Sequence, residues 1–396
     1  MALACTSHPQ EGIRHASPES VGMDSHHLAL IDSAVNASIG QGEVPGAVIG
    51  IVHKGVLVYE KAFGCKSVVP EKEPMDVETL FDLASLSKCV GTTLSFMQLV
   101  ERGQVRLMDP VSRYIPAFLP WVDPESGEEV EITVQHLLTH SSGLDAYINV
   151  ASYVAEFGEG TPDRLTEYIA GRVGRNFRPG TDVLYSCLNF VTLQQILQRV
   201  TGERLCDYAQ THVFDVLGLQ HTTYFPLDGP AVKPELAALC APTEVQADGL
   251  PLQAAVHDPI ARVINQGNSG NAGVFSNAED LAVMAAALLN GGSWNGRRIL
   301  APQTVRKMFE VPSINDPGVA RALGWDTYYT GPYTSGDIFE TENLRGHTGY
   351  TGTSMILDPD TSTAVIVLTH RVHPRDEGSV ARLRAVVASI AAAAIR

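Results

Sequence analysis

The chain has 396 residues, 44% of them hydrophobic and 18% charged, enough apolar material for a large core and a length that fits two to three domain-sized units. Its 44 acidic residues against 28 Lys and Arg leave a net charge of −16, which argues against nucleic acid or an anionic membrane as partner, since both need a basic footprint. No apolar run reaches the ~18 residues of a membrane-spanning helix, so no transmembrane segment is expected.

In chain order, residues 1–19 read as a disordered tail. Within it Ala2-Leu3-Ala4-Cys5, followed by polar residues, is similar to the end of a bacterial lipoprotein signal, in which the cysteine becomes lipidated. Two addresses stay open: a periplasmic or lipid-anchored protein held through Cys5, or a cytoplasmic one with a plain tail. Ser25 to Ser38 carries Leu28, Leu30, Ile31, Ala34 and Val35 at helical spacing and stops at Gly40, which predicts a helix. Ala47–His53 and Val56–Ala62 flank Lys54-Gly55, the pattern of a two-strand hairpin. From Leu99 to about Val263 helical periodicity dominates, with helices expected over Val134–His140, Asp163–Val173 and Leu188–Val200. Strand patterns return at Thr353–Asp358 and Thr363–Thr369, around the turn Pro359–Ser362, and a helix over Ser379–Ile395 closes the chain. The expected fold is therefore α+β: an antiparallel β-sheet flanked by helices, built from residues 20–98 and 264–396, with a mainly helical domain, 99–263, inserted. Ligand clefts favour such a boundary.

Three stretches carry chemistry. Ser85-Leu86-Ser87-Lys88 places a lysine one helical turn after a serine, where an uncharged amine could take the hydroxyl proton. The run Thr92–Val100 behind it predicts that Ser85 opens a buried helix, with its N–H and the helix dipole facing a developing negative charge. Tyr185-Ser186-Cys187-Leu188-Asn189 follows the Pro179-Gly180 turn, and Gly346-His347-Thr348-Gly349-Tyr350 precedes the Thr353–Asp358 strand. Taken one at a time these have plainer readings: Ser85 as a helix cap, Lys88 as a solvated charge, Tyr185 as a core residue.

Their order and separation resemble the penicillin-binding protein and class C β-lactamase family of serine hydrolases, over about Ser20 to Arg371. The resemblance implies that Ser85 is the nucleophile and that Lys88 and Tyr185 handle its proton. It implies that Thr348-Gly349 lines the substrate, with the Tyr350 and Ser85 N–H groups as oxyanion hole. His347 stands where lysine often opens Lys-Thr-Gly, which makes the local charge depend on pH. Relatives usually carry Tyr-x-Asn, but this chain has Cys187, a weak hydrogen-bonding group, with Asn189 two residues later. That departure counts against efficient β-lactam turnover.

The glycine cluster Gly267–Ser276 and Val256-His257-Asp258-Pro259 are similar to a subgroup tied to cell-wall recycling, including N-acetylmuramyl-L-alanine amidases. The implied activity is acyl transfer to water from a small-molecule or peptidoglycan-fragment substrate, first an amide. An ester, a β-lactam, or a pocket that binds without turnover are the alternatives. No cofactor or metal is expected. His136-Leu137-Leu138-Thr139-His140 has zinc-pair spacing but lacks the glutamate of H-E-x-x-H, and the six scattered cysteines read as buried free thiols rather than a disulfide framework.

Overall fold

The computed structural model describes residues 12–312, 321–327, 332–340 and 342–396; Cys5 lies outside them. Six strands form the main sheet: β1 (Gly46–His53), β2 (Val56–Ser67), β3 (Glu73–Pro74), β4 (Arg345–Thr348), β5 (Ser354–Asp358) and β6 (Thr363–Thr369). Their order is β4-β5-β6-β1-β2-β3, and every neighbouring pair is antiparallel. The expected hairpin is present, with Lys54 at φ 48° and Gly55 at φ 75°, the two left-handed residues that match a turn to strand twist. β1 pairs with β6 from Ala47↔Thr369 to His53↔Thr363, so the two ends of the chain meet at mid-sheet.

Alternation along these strands sorts the side chains onto two faces. Ala47, Ile49, Ile51, Val365 and Val367 pack with Ile31 and Val35 of α1 (Leu30–Gly40) and with Leu383, Val387 and Ala391 of the terminal helix (Ala381–Ala393). Val48, Val52, Ile366 and Leu368 share the larger core with Leu281, Met284 and Ala285 of the helix Ala278–Leu289. That core continues into the helical region through Leu188, Val191 and Ile196 of the helix Cys187–Thr201.

Local differences from the sequence reading have local causes. The Ser25–Ser38 helix is two pieces, Ser25–Leu28 and Leu30–Gly40, the first capped by Asp24 accepting from His27 N–H. Val134–Leu138 ends before the expected His140, which takes φ 56° and so cannot continue a helix. A small three-stranded sheet, Phe81–Asp82, Val274–Ser276 and Thr223–Tyr224 with the second in the middle, carries the chain into Ser85. Among the described residues no helix is long and apolar enough to cross a membrane.

Candidate active site

Ser85 lies in a tight turn, not at the start of a regular α-helix. Ala84–Leu86 is 3-10, Lys88–Thr93 is π-helical, and α-helix begins only at Leu94. Thr93 Oγ1 donates to Lys88 O at 2.7 Å, five residues back, and Thr92 Oγ1 donates to Gly270 O at 2.7 Å; these bonds fit the widened turn, a feature that recurs at functional sites. Ala84 sits at φ 46°, an unfavourable region for alanine. The surroundings hold it there. Asp82 Oδ1 accepts from Ala84 N–H at 2.9 Å, Thr351 Oγ1 donates to Asp82 O at 2.7 Å, and Thr353 Oγ1 donates to Leu83 O at 2.9 Å.

Lys88 is fully buried, and its Nζ lies 2.9 Å from Ser85 Oγ, 2.8 Å from Asn271 O and 3.6 Å from Cys187 Sγ. The same Nζ is 5.1 Å from the centre of the Tyr185 ring, and Lys88 and Ser85 both act to favour the ionised form of the Tyr185 phenol. Ser85, Lys88 and Tyr185, the last about a hundred residues further along the sequence, thus share one pocket.

Lys88 differs from the expected free amine. Burial disfavours its charge, but the anionic forms of Cys187 and Tyr185, with a weaker contribution from Asp258, outweigh burial and raise its proton affinity. Burial also raises Tyr185, while Lys88 pulls it back. Each group therefore ionises most easily when the other does, and the pair exchanges a proton at little net change in buried charge. In its phenolate–ammonium form the pair offers the Tyr185 oxygen as the acceptor for a proton from a neighbouring hydroxyl, with Lys88 stabilising the phenolate.

His347 is buried, its Nδ1 2.8 Å from Thr348 O. The carbonyl can only accept, so Nδ1 carries the hydrogen and Nε2 presents a lone pair. Burial, with Arg321 and Lys88 adding to it against Asp326, pushes this histidine down to about 4. The expected pH-dependent charge is consequently confined to strongly acid conditions. Thr348 pairs with Ser354 across the sheet edge. Tyr350 is 56% exposed, its hydroxyl hydrogen-bonded to Asp376, with the Arg371 guanidinium 4.6 Å above its ring. Asn189 is buried, its amide taken up by Ser142 Oγ at 2.6 Å and His140 Nδ1 at 3.1 Å rather than by Lys88.

Two further neighbours are not marked by the three motifs. His140, suggested by its spacing only as a rejected metal ligand, accepts from Ser186 N–H at 3.0 Å and stacks on Tyr185 with ring centres 4.4 Å apart. Arg321, ion-paired with Asp326, lies 5.3 Å from the Tyr185 ring centre. The pairing of HLLTH with Tyr-x-x is the signal that could have found the first; nothing in the sequence marks the second.

Histidines held neutral by burial make acid stability testable. Burial drives His136 and His347 down to about 4, His370 to about 3, and His140 well below its ordinary value. In the unfolded chain they take protons near ~6.5, so protonation favours unfolding as pH falls from about 6.5 to 4, and stability is complete above that window. Buried carboxyls act the other way, since burial raises Glu60 to about 7 and also raises Asp82 and Asp280; urea midpoints should drop between about pH 6.5 and 4.5 by the excess of the histidines over these. The slope should flatten in His347→Gln, and an unchanged slope would remove His347 from the account.

Comparison with known proteins accords with this geometry. The chain is 30% identical over 379 residues to the N-acetylmuramyl-L-alanine amidase of Bacillus subtilis (strain 168), covering 90% of this chain and 83% of that protein. It is also 30% identical over 383 residues to a protein of Escherichia coli (strain K12) provisionally described as a D-alanyl-D-alanine carboxypeptidase, covering 91% and 86%. Among solved structures, EstCE1, a hydrolase with promiscuous acyltransferase activity, superposes with a TM-score of 0.73 at 24% identity, over 93% of this chain and 99% of that one. The Beta-lactamase family model matches residues 31–389, and the chain belongs to the beta-lactamase family.

Proposed function

We propose that this protein is a serine hydrolase that cleaves a peptidoglycan-derived amide through an acyl-enzyme on Ser85. The carrying observation is the 2.9 Å approach of Lys88 Nζ to Ser85 Oγ in the pocket shared with Tyr185. As the Ser85 oxygen bonds to the substrate carbonyl carbon, its proton passes to the Lys88–Tyr185 pair, and the Ser85 and Tyr350 N–H groups hold the oxyanion. The carbon–nitrogen bond then breaks and the departing amine takes the proton. Water, deprotonated by the same pair, attacks the ester; Ser85 leaves and recovers a proton.

The substrate class rests on the amidase relative and on two features of the pocket. A neutral His347 supplies no cation for the carboxylate that a β-lactam carries, and Cys187 offers only weak hydrogen bonds. A β-lactam is therefore ranked below an amide or an ester. Labelling with a fluorophosphonate and with a fluorescent penicillin, followed by peptide mapping, should place the fluorophosphonate adduct on Ser85. Muramyl peptides should then be turned over with higher kcat/KM than p-nitrophenyl esters or a chromogenic cephalosporin. Faster ester turnover would reassign the substrate, and no adduct with either probe would leave a binding protein.

A further inference from the structure

We propose that Asp258 is a positioning residue for this reaction, holding the Asn271 loop against Lys88 and Cys187 so that the loop supplies the anchoring that the weakly bonding thiol at position 187 does not. The inference rests on the hydrolase reading. It starts from an oddity of the site: Lys88 is buried, its neighbour two residues after Tyr185 is a weakly bonding thiol, and the firm acceptor it finds is a backbone carbonyl, Asn271 O at 2.8 Å. A carbonyl on a glycine-flanked loop holds a lysine only as well as the loop itself is held.

The loop is fixed by a relay of side chains. Asn265 Nδ2 donates to Ser269 Oγ at 2.8 Å, Ser269 Oγ donates to Asn271 Oδ1 at 2.7 Å, and Asn271 Nδ2 donates to Asp258 Oδ1 at 3.0 Å. Asn271 also lies beside Cys187 and favours its ionised form. Asp258 is in turn pinned by Ala261 N–H at 2.8 Å and by Tyr147 O–H at 3.0 Å. One carboxylate thus ends a chain that runs through Asn271 to Lys88 and Cys187. The groups that act electrically on Lys88 are Tyr185, Cys187 and Asp258, while His140 and His347 are kept neutral and Arg321 is paired with Asp326. Asp258 adds negative charge behind the lysine as well as fixing the loop, and that charge favours the ammonium.

The test measures kcat, KM and the pH profile of kcat, on the full chain, for Asp258→Asn, Asp258→Ala and the latter combined with Cys187→Asn, using whichever panel substrate the wild type hydrolyses. A misplacement of about 1 Å at such a site costs on the order of 10²-fold in rate. Asp258→Ala should therefore lose about ten- to a hundredfold in kcat with KM little changed. Asp258→Asn keeps an acceptor but not the charge; it should lose less and move the Lys88-governed limb of the profile to lower pH. Adding Cys187→Asn should recover most of the alanine loss. Wild-type kcat and an unmoved profile in both single variants would overturn the role of Asp258, as would a loss that Cys187→Asn leaves untouched. Failure of the fluorophosphonate to label the wild type would instead sink the hydrolase reading, so the two failures are separable.

Discussion

Ser85→Ala should abolish turnover while leaving the protein folded. Among the described residues beside Ser85 none stands ready to replace its oxygen: Ser87 Oγ is spent accepting from Val274 N–H at 3.0 Å, the Tyr185 phenol is raised by burial, with Lys88 opposing, and Cys187 is a half-buried thiol that burial likewise raises, with Lys88 opposing. Removing a nucleophile from such a unit costs on the order of 10⁴- to 10⁶-fold in kcat, since the remaining groups act only through it. The structural cost is small. Ser85 is partly exposed, and the lost bond from Lys88 leaves that amine with Asn271 O, which points to about 1 kcal/mol. Steady-state assays and thermal melts on the same preparation check both halves. Turnover above about a hundredth of wild type, where the scheme requires a far larger loss, would rule Ser85 out as the nucleophile.

The strands and the long helices were legible because their periodicity is strong: Ala47–His53 and Thr363–Thr369 are β-branched runs that could hardly be anything else. That the two pair directly at mid-sheet was not legible, because pairing across three hundred residues leaves no local trace. The same holds at the site. Ser85, Lys88, Tyr185 and His347 were readable as motifs, whereas their surroundings were not. The Ala84 kink and the π-turn at Lys88–Thr93 are held by a local bond to Asp82 and by tertiary contacts to Gly270 and Thr353, and tertiary context overrides propensity there. Asn271 is one polar residue in a glycine cluster as far as the sequence goes, and only the fold sets its carbonyl against Lys88. The charge state of His347 departs from expectation for a related reason: a sequence names a histidine but not its burial, and burial is what holds this one neutral.

Gly349→Ala should be as damaging to activity as many substitutions of a reacting group, through packing alone. A Cβ at this position would stand 2.3 Å from Leu83 O and 2.2 Å from Thr353 Oγ1. The threonine hydroxyl could rotate, but only by giving up its bond to that same Leu83 carbonyl; the carbonyl belongs to the backbone two residues before Ser85 and has nowhere to go. Retreat on the other side is blocked as well, because the buried Arg384 donates to Gly349 O at 2.9 Å and to Thr353 O at 2.8 Å. The methyl group must therefore push either the Ser85 turn or the strand edge that follows His347. Overpacking of this kind costs about 1–3 kcal/mol, and a shift of about 1 Å in the turn costs on the order of 10²-fold in rate. Gly40→Ala is the contrast: its Cβ would meet nothing within 4 Å, and in a helix alanine is favoured over glycine by about 1 kcal/mol, so that variant should be as stable as wild type or more so. Urea midpoints and kcat normalised to fluorophosphonate-reactive sites separate lost fold from lost geometry. A Gly349→Ala protein with wild-type midpoint and rate would mean that the turn and the strand edge are not in contact, and a pocket walled by the two together would fall with that contact.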